Sequence, residues 1–98
     1  MGQYMIDIQL PYLMSAEFLA LIPKQRAQIN SLMQQGLVTN YLLAIDRSRL
    51  WTVIEAESEA EIWEVLETFP IYPHVECNVY ELMFHNHTAH TLPAISLN

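Results

Sequence analysis

Cysteine, glycine and positive charge are all scarce in this chain. Its 98 residues include a single cysteine, Cys77, which has no partner for an internal disulfide, so nothing argues for an oxidising compartment. Four basic residues stand against eleven acidic ones, a formal net charge of −7. Phosphate binding needs clustered Lys and Arg, so the composition excludes nucleic acid as a partner and argues against an anionic membrane surface. No apolar run approaches the ~20 residues of a membrane span. The start, Met-Gly-Gln-Tyr-Met-Ile-Asp, has no basic stretch of the kind that opens a signal peptide and meets an acid early. Gly2 lacks the Ser or Thr expected further along a myristoylation signal. Together these absences make a soluble cytoplasmic protein the default expectation.

What the chain has in abundance is apolar side chain. At 98 residues it has the length of one domain, and a domain this small leaves much of its surface unburied. Yet 52% of its residues are apolar and its mean hydropathy is +0.14. Some of that apolar surface is expected to meet another subunit.

Residues Tyr4 to Leu10 alternate, with Tyr4, Ile6, Ile8 and Leu10 on one face, and Pro11 ends the strand. Ser15 is placed to cap a helix through Phe18, Leu19 and Ile22. Pro23 biases Ile22 away from helical geometry, so a kinked pair of helices is expected, about Ser15 to Ile22 and Pro23 to Gln35. Gly36, the only glycine after Gly2, sits where a left-handed C-cap residue belongs. Leu37 to Ala56 reads as a hairpin with a turn of three to five residues at Asp46-Arg47-Ser48. Ser58 and Glu61 form a capping box for a second helix, whose Ile62, Val65, Leu66 and Phe69 share one face. Pro70 stops it, Phe69-Pro70-Ile71-Tyr72-Pro73 makes a stiff loop, and Val75 to Phe84 is the last strand. Residues 1–86 are thus expected to form one domain, and residues 87–98 a tail without clear periodicity.

This order is that of the ferredoxin-like βαββαβ fold, an α+β domain with an antiparallel sheet. A sheet covered by helices on one face is usually polar on the other. The hairpin breaks that rule. Tyr41, Leu43 and Ile45 occupy one side of its first strand, and Leu42 and Ala44 the other. In its second strand Leu50, Thr52 and Ile54 oppose Trp51 and Val53. The simplest cover for the second face is the same sheet of another copy, packed across a two-fold axis into a homodimer.

Four stretches carry a family resemblance: Ile22-Pro23-Lys24-Gln25-Arg26-Ala27, Asp46-Arg47-Ser48-Arg49-Leu50-Trp51, Phe69-Pro70-Ile71-Tyr72-Pro73 and Glu81-Leu82-Met83-Phe84-His85-Asn86. From about Met5 to His85 the chain resembles the muconolactone delta-isomerase family, within the dimeric α+β-barrel group of ferredoxin-like proteins. The Phe-Pro-x-x-Pro loop looks most like the isomerases themselves, and the other three stretches like a separate branch. The resemblance implies an isomerase fold without a cofactor, in which a 1,3-proton shift moves a double bond in a small unsaturated lactone bearing a carboxylate. It also implies a cleft between sheet and helices near a subunit boundary, assembly into dimers and often larger rings, and a C-terminal tail, residues 87–98, that docks on a neighbouring subunit.

The candidate site residues follow from their chemistry. Arg47 and Arg49 are guanidiniums suited to hold a substrate carboxylate, and Trp51 shares a strand face with Arg49 as an aromatic wall. Tyr41 is a donor for an enolate, or a packing aromatic. Asp7, Glu81 and His85 are the acid–base groups available for a proton shift. The plainer alternatives are a solvated turn whose arginines pair with acids, and carboxylates exposed or locked in structural ion pairs. His85-x-His87 puts two rings on one side of an extended chain, but a structural metal site needs further ligands, so no metal is assigned. Cys77 reads as a small packing hydrophobe. Trp63 lies off its helix's buried face, as an exposed aromatic or an assembly contact. Three functions stay open: an isomerase or related lyase-like enzyme acting on a lactone or unsaturated carboxylate; a non-catalytic small-molecule binding or assembly module; and a cofactor-independent monooxygenase.

Overall fold

The computed structural model describes residues 2–86. Strand β1 runs Gly2–Gln9, helix α1 Ala16–Gln34, β2 Val38–Leu43, β3 Arg49–Ala56, helix α2 Glu59–Glu67, and β4 Glu76–Glu81, after a single 3₁₀ turn at Tyr72–His74. The strands lie in the order β2-β3-β1-β4, with every neighbouring pair antiparallel. This is the expected ferredoxin-like α+β arrangement. The alternation in β1 does what it promised: Tyr4, Ile6 and Ile8 are buried. They join Phe18, Ile29 and Leu32 of α1 and Ile62 and Leu66 of α2 in one core. Both helices therefore cover the same face of the sheet. Among the described residues no helix is long and apolar enough to cross a membrane.

Both helices begin on their predicted caps. The Ser15 hydroxyl accepts the Phe18 amide at 3.1 Å, and Ser58 accepts the Glu61 amide at 3.4 Å. The returning arm of the second box lands one residue early, on the Glu57 amide at 2.9 Å. Gly36 takes φ +78°. Its amide bonds Met33 O and the Leu37 amide bonds Leu32 O, each at 3.0 Å, which closes the helix end in a Schellman motif.

Pro23 is the first correction, because α1 is one helix that continues through it. Proline has no N–H for the carbonyl of Leu19, four residues back. Leu19 is half exposed, so that carbonyl can meet water. Packing of Phe18 on one side of the proline and of Gln25, Ile29 and Leu32 on the other holds the helix together across it. The last strand is also shorter than Val75 to Phe84. Its final rung is the Leu82 amide on Gln3 O at 2.8 Å. The described part of β1 itself begins at Gly2, one residue beyond Gln3. Trp63 is half buried beside the core, and its indole N–H donates to Glu59 at 3.1 Å.

The hairpin holds two details that its residues do not announce. Val38 faces Ile54 and Asn40 faces Val53, so one extra residue, Thr39, is accommodated in β2. The bulge changes the phase of the strand. Val38 points into the core, and beyond the bulge Tyr41 and Leu43 pair with the buried Thr52 and Leu50. Asn40 repairs the interrupted ladder: its side chain accepts the Val53 amide at 3.1 Å, and its carbonyl accepts the Thr52 hydroxyl at 2.7 Å. At the tip, Arg47 takes φ 63°, in the left-handed region. Ser48 donates its amide (3.0 Å) and its hydroxyl (2.7 Å) to Asp46, which holds that carboxyl below the usual carboxylate range.

Candidate functional site

A cavity of about 620 Å³ lies on the helix side, between α1 and the hairpin. Its walls are mostly apolar, with Met14, Phe18, Ile22, Leu43, Leu50 and Ile71 among them. The polar groups that reach it are Gln25, Arg26 and Asn30 of α1, Tyr41 of β2 and Arg47 of the hairpin tip. A largely apolar hollow with a few convergent polar groups is the usual form of a small-molecule site.

Each polar group is placed by a feature already described. The helical stripe Phe18, Ile22, Gln25, Ile29, Leu32 carries one polar residue, and Gln25 is only 3% exposed. Its amide oxygen accepts the Ile71 backbone N–H at 3.3 Å, and its amide nitrogen donates to the Tyr41 hydroxyl at 3.2 Å. Tyr41 reaches that hydroxyl position because the Thr39 bulge turns it to the helix side. Burial pushes the Tyr41 phenol above its ordinary 10.0, against smaller opposing pulls from the Gln25 hydrogen bond and the Arg26 charge. The phenol is therefore neutral at physiological pH.

Arg26 and Arg47 are exposed at the rim. The chain carries eleven acids, yet neither guanidinium has an ion-pair or hydrogen-bond partner among the described residues. The plain alternative for Arg47, a turn arginine paired with an acid, does not hold. Arg49 does follow that alternative: it forms an ion pair with Asp7 at 2.8 Å.

The sequence candidates thus separate into groups. Tyr41 and Arg47 meet in the cleft. Arg49 and Trp51 share a strand face as expected, but it is the face turned away from the helices, so neither lines the cleft. Trp51 stands between Asp7 of β1 and Leu42 of β2 on that open face. Asp7 is there too, not on the cleft side, and its second carboxylate oxygen is buried with no hydrogen-bond partner. Glu81 pairs with Tyr4 in register and is exposed on the edge strand β4. His85 follows the end of β4 and is half buried. Neither is part of the cleft wall. Among the described residues the cleft wall holds no carboxylate and no imidazole; His74 lies behind it, its ring edge-on to Phe18 at 5.9 Å between centroids. His87, His90 and the expected docking tail 87–98 lie outside the described residues. Among the described residues no group of three His, Cys, Asp or Glu is placed to hold a metal ion.

Gln25 and Arg26 were missed as site residues from sequence. The signal for Gln25 was a lone amide at a stripe position of an amphipathic helix, and Arg26 was its immediate neighbour.

Comparison with known proteins adds the lineage. The family described as muconolactone delta-isomerase matches residues 3–88 of the chain. No curated protein matches it in sequence. Among solved structures it is similar to a crystal structure of muconolactone isomerase at 3.3 Å resolution, with a TM-score of 0.70 and 17% identity, covering 91% of this chain and 96% of that one. At that identity the likeness speaks for the fold alone.

Proposed function

The chain belongs to the muconolactone delta-isomerase family, and from that premise we propose that its helix-side cleft binds a small, mostly apolar carboxylic acid or lactone. The observation that carries this is the pair of unpartnered guanidiniums, Arg26 and Arg47, above an apolar hollow in a chain of net charge −7. An acid whose carboxylate meets the rim and whose hydrocarbon part enters between Met14, Phe18, Leu43 and Leu50 would satisfy both. Thermal-shift and calorimetric titration with small unsaturated acids and lactones tests it. Arg26→Ala and Arg47→Ala should each weaken a binding acid several-fold; unchanged affinity in both variants refutes the site.

Family membership also favours a reaction, a cofactor-free proton shift in the bound ligand. Such a shift needs a base, and among the described residues of one chain the cleft wall supplies no carboxylate or imidazole. In this reading Asp7, Glu81 or His85 is delivered by a neighbouring copy. Incubation with muconolactone, followed by NMR, tests the reaction. The rate should fall in one of Asp7→Asn, Glu81→Gln or His85→Asn, and no turnover by the wild type ends the enzymatic reading in favour of a binding module.

The open sheet face supports self-association. Leu42 is 51% and Tyr80 54% exposed there, beside Met5, Trp51 and Val53 in register. A second copy would cover this apolar strip and offer a donor to the orphaned Asp7 oxygen. Light scattering should report a dimer or larger, and Trp51→Glu with Tyr80→Glu should dissociate it. A wild-type monomer at micromolar concentration would dispose of this part.

A further inference from the structure

Gln25 is buried, polar and doubly bonded; its oxygen serves the fold by accepting a buried backbone N–H, but a carboxylate site does not by itself require an amide at that place. The Ile71 backbone N–H is a donor only, so the Gln25 atom it meets at 3.3 Å must be the amide oxygen. That fixes the other end. The amide nitrogen then faces the Tyr41 hydroxyl at 3.2 Å, and it too can only donate. The Tyr41 oxygen is consequently an acceptor toward Gln25, and its own proton must point elsewhere. No acceptor among the described residues takes that proton. Tyr41 and Gln25 both border the cleft.

We infer that Gln25 is a positioning residue: through the fixed chain Ile71 N–H to Gln25 to Tyr41 it presents the Tyr41 phenolic proton to the cleft, as a ready-made donor for an acceptor oxygen on the ligand. The inference rests on the cleft being a ligand site, and it adds a specificity rule. Ligands with a carbonyl or other acceptor oxygen beyond the carboxylate are favoured over otherwise identical ligands without one. The proton is held in place before binding, so the hydrogen bond forms without rotamer loss. Burial of the phenol keeps it protonated, as a donor needs.

The test uses two probes that differ in one oxygen, cyclohexanecarboxylate and 4-oxocyclohexanecarboxylate, titrated calorimetrically into the full chain. The wild type should prefer the oxo acid about five- to tenfold, the worth of one preset hydrogen bond. Tyr41→Phe should bring the ratio to one, and so should Gln25→Met with Tyr41 still present. A merely structural Gln25 would weaken both probes alike and leave the ratio intact, which overturns the inference, as does a wild-type ratio of one. If neither acid binds the wild type, the ligand-site reading fails by itself, and the positioning role is decided without ligand. Titration of the tyrosine Cζ signal by ¹³C NMR, assigned through Tyr41→Phe, should show Tyr41 losing its proton at higher pH in Gln25→Met than in wild type, because a donor to the phenolate has gone. An unmoved titration refutes the relay. Should Gln25→Met fail to fold, Gln25→Glu takes its place: its carboxylate would accept the Tyr41 proton, turn it from the cleft and abolish the preference, and a retained preference again overturns the inference.

Discussion

Replacing Arg47 by glycine separates what the residue does for the fold from what it does for the cleft. Its φ of 63° is one that an L-residue reaches at a cost of about 1–2 kcal/mol, while glycine adopts it freely. Glycine gives back about 0.5–1 kcal/mol through the freedom it gains in the unfolded chain. The Arg47 side chain makes no bond that would be lost, and the turn bond from its amide to Ala44 O at 2.9 Å survives the change. The variant should therefore be more stable by roughly 0.5–1 kcal/mol, which in a domain of this size raises Tm by about 2–6 °C. Its affinity for a small carboxylate should fall about fivefold, the value of one exposed charge-assisted contact near 1 kcal/mol. Calorimetric melting and ligand titration of the same sample measure both. Arg47→Asn is the control, since asparagine tolerates the left-handed region without supplying a charge. A strained residue kept at the rim of a site is expected where function sets its identity. A lowered Tm would show that the turn does not store this strain, and unaltered affinity would show that the guanidinium has no part in binding.

The remaining predictions concern the scaffold. Pro23→Ala should stabilise the protein by about 1–3 kcal/mol, because alanine restores the bond to the Leu19 carbonyl within a continuous helix; two helices meeting at Pro23 would instead lose stability, and urea unfolding decides between them. Asn40→Ala leaves the Val53 amide without its acceptor in the bulge and should cost about 1–2 kcal/mol. The same change should weaken ligand binding through Tyr41, and a variant that unfolds at the wild-type urea concentration removes Asn40 from this role. Burial pushes the Cys77 thiol up to about 11 from 9.0. The thiol's contribution to stability is thus whole below pH 9 and is lost as the pH rises from there through 11. Iodoacetamide should label native Cys77 slowly at pH 8 and quickly after unfolding, and equal rates would contradict the burial.

The parts of the fold that were legible in sequence are those that local chemistry decides. Ser15, Ser58 and Gly36 end helices by bonds to residues three to five places away, and strands with an alternating face, such as β1, need only a core to lie on. What was hidden depends on partners far along the chain. Pro23 reads as a breaker because its local effect is unfavourable, and the packing that outweighs it comes from Phe18, Ile29 and Leu32 against the sheet. The Thr39 bulge has no glycine or proline to mark it, and it appears only when β2 is laid against β3. Arg47 carries no sign of its positive φ. Arg49 and Trp51 were rightly put on one face, but which face looks toward the helices is fixed by the register with β1. Tyr41 and Arg47 could be nominated by residue type, whereas Gln25 acquires meaning only beside Ile71, 46 residues away.

These hidden features act together at the cleft. The bulge turns the β2 segment after Thr39 so that Tyr41 and Leu43 face α1 while Leu42 faces outward beside Trp51. One phase change therefore assigns the two apolar faces of the hairpin to two tasks, a lined hollow on the helix side and an uncovered strip on the other. Without it, the parity set by Val38 would carry Tyr41 to the open face and Leu42 into the cleft. Gln25 would then lose its acceptor, and the donor chain from Ile71 would end at an unsatisfied amide inside the protein, a loss of about 1–3 kcal/mol. The bulge, the buried glutamine and the tyrosine are thus coupled, and the apolarity of the hairpin on both faces follows from two separate surfaces sharing one pair of strands.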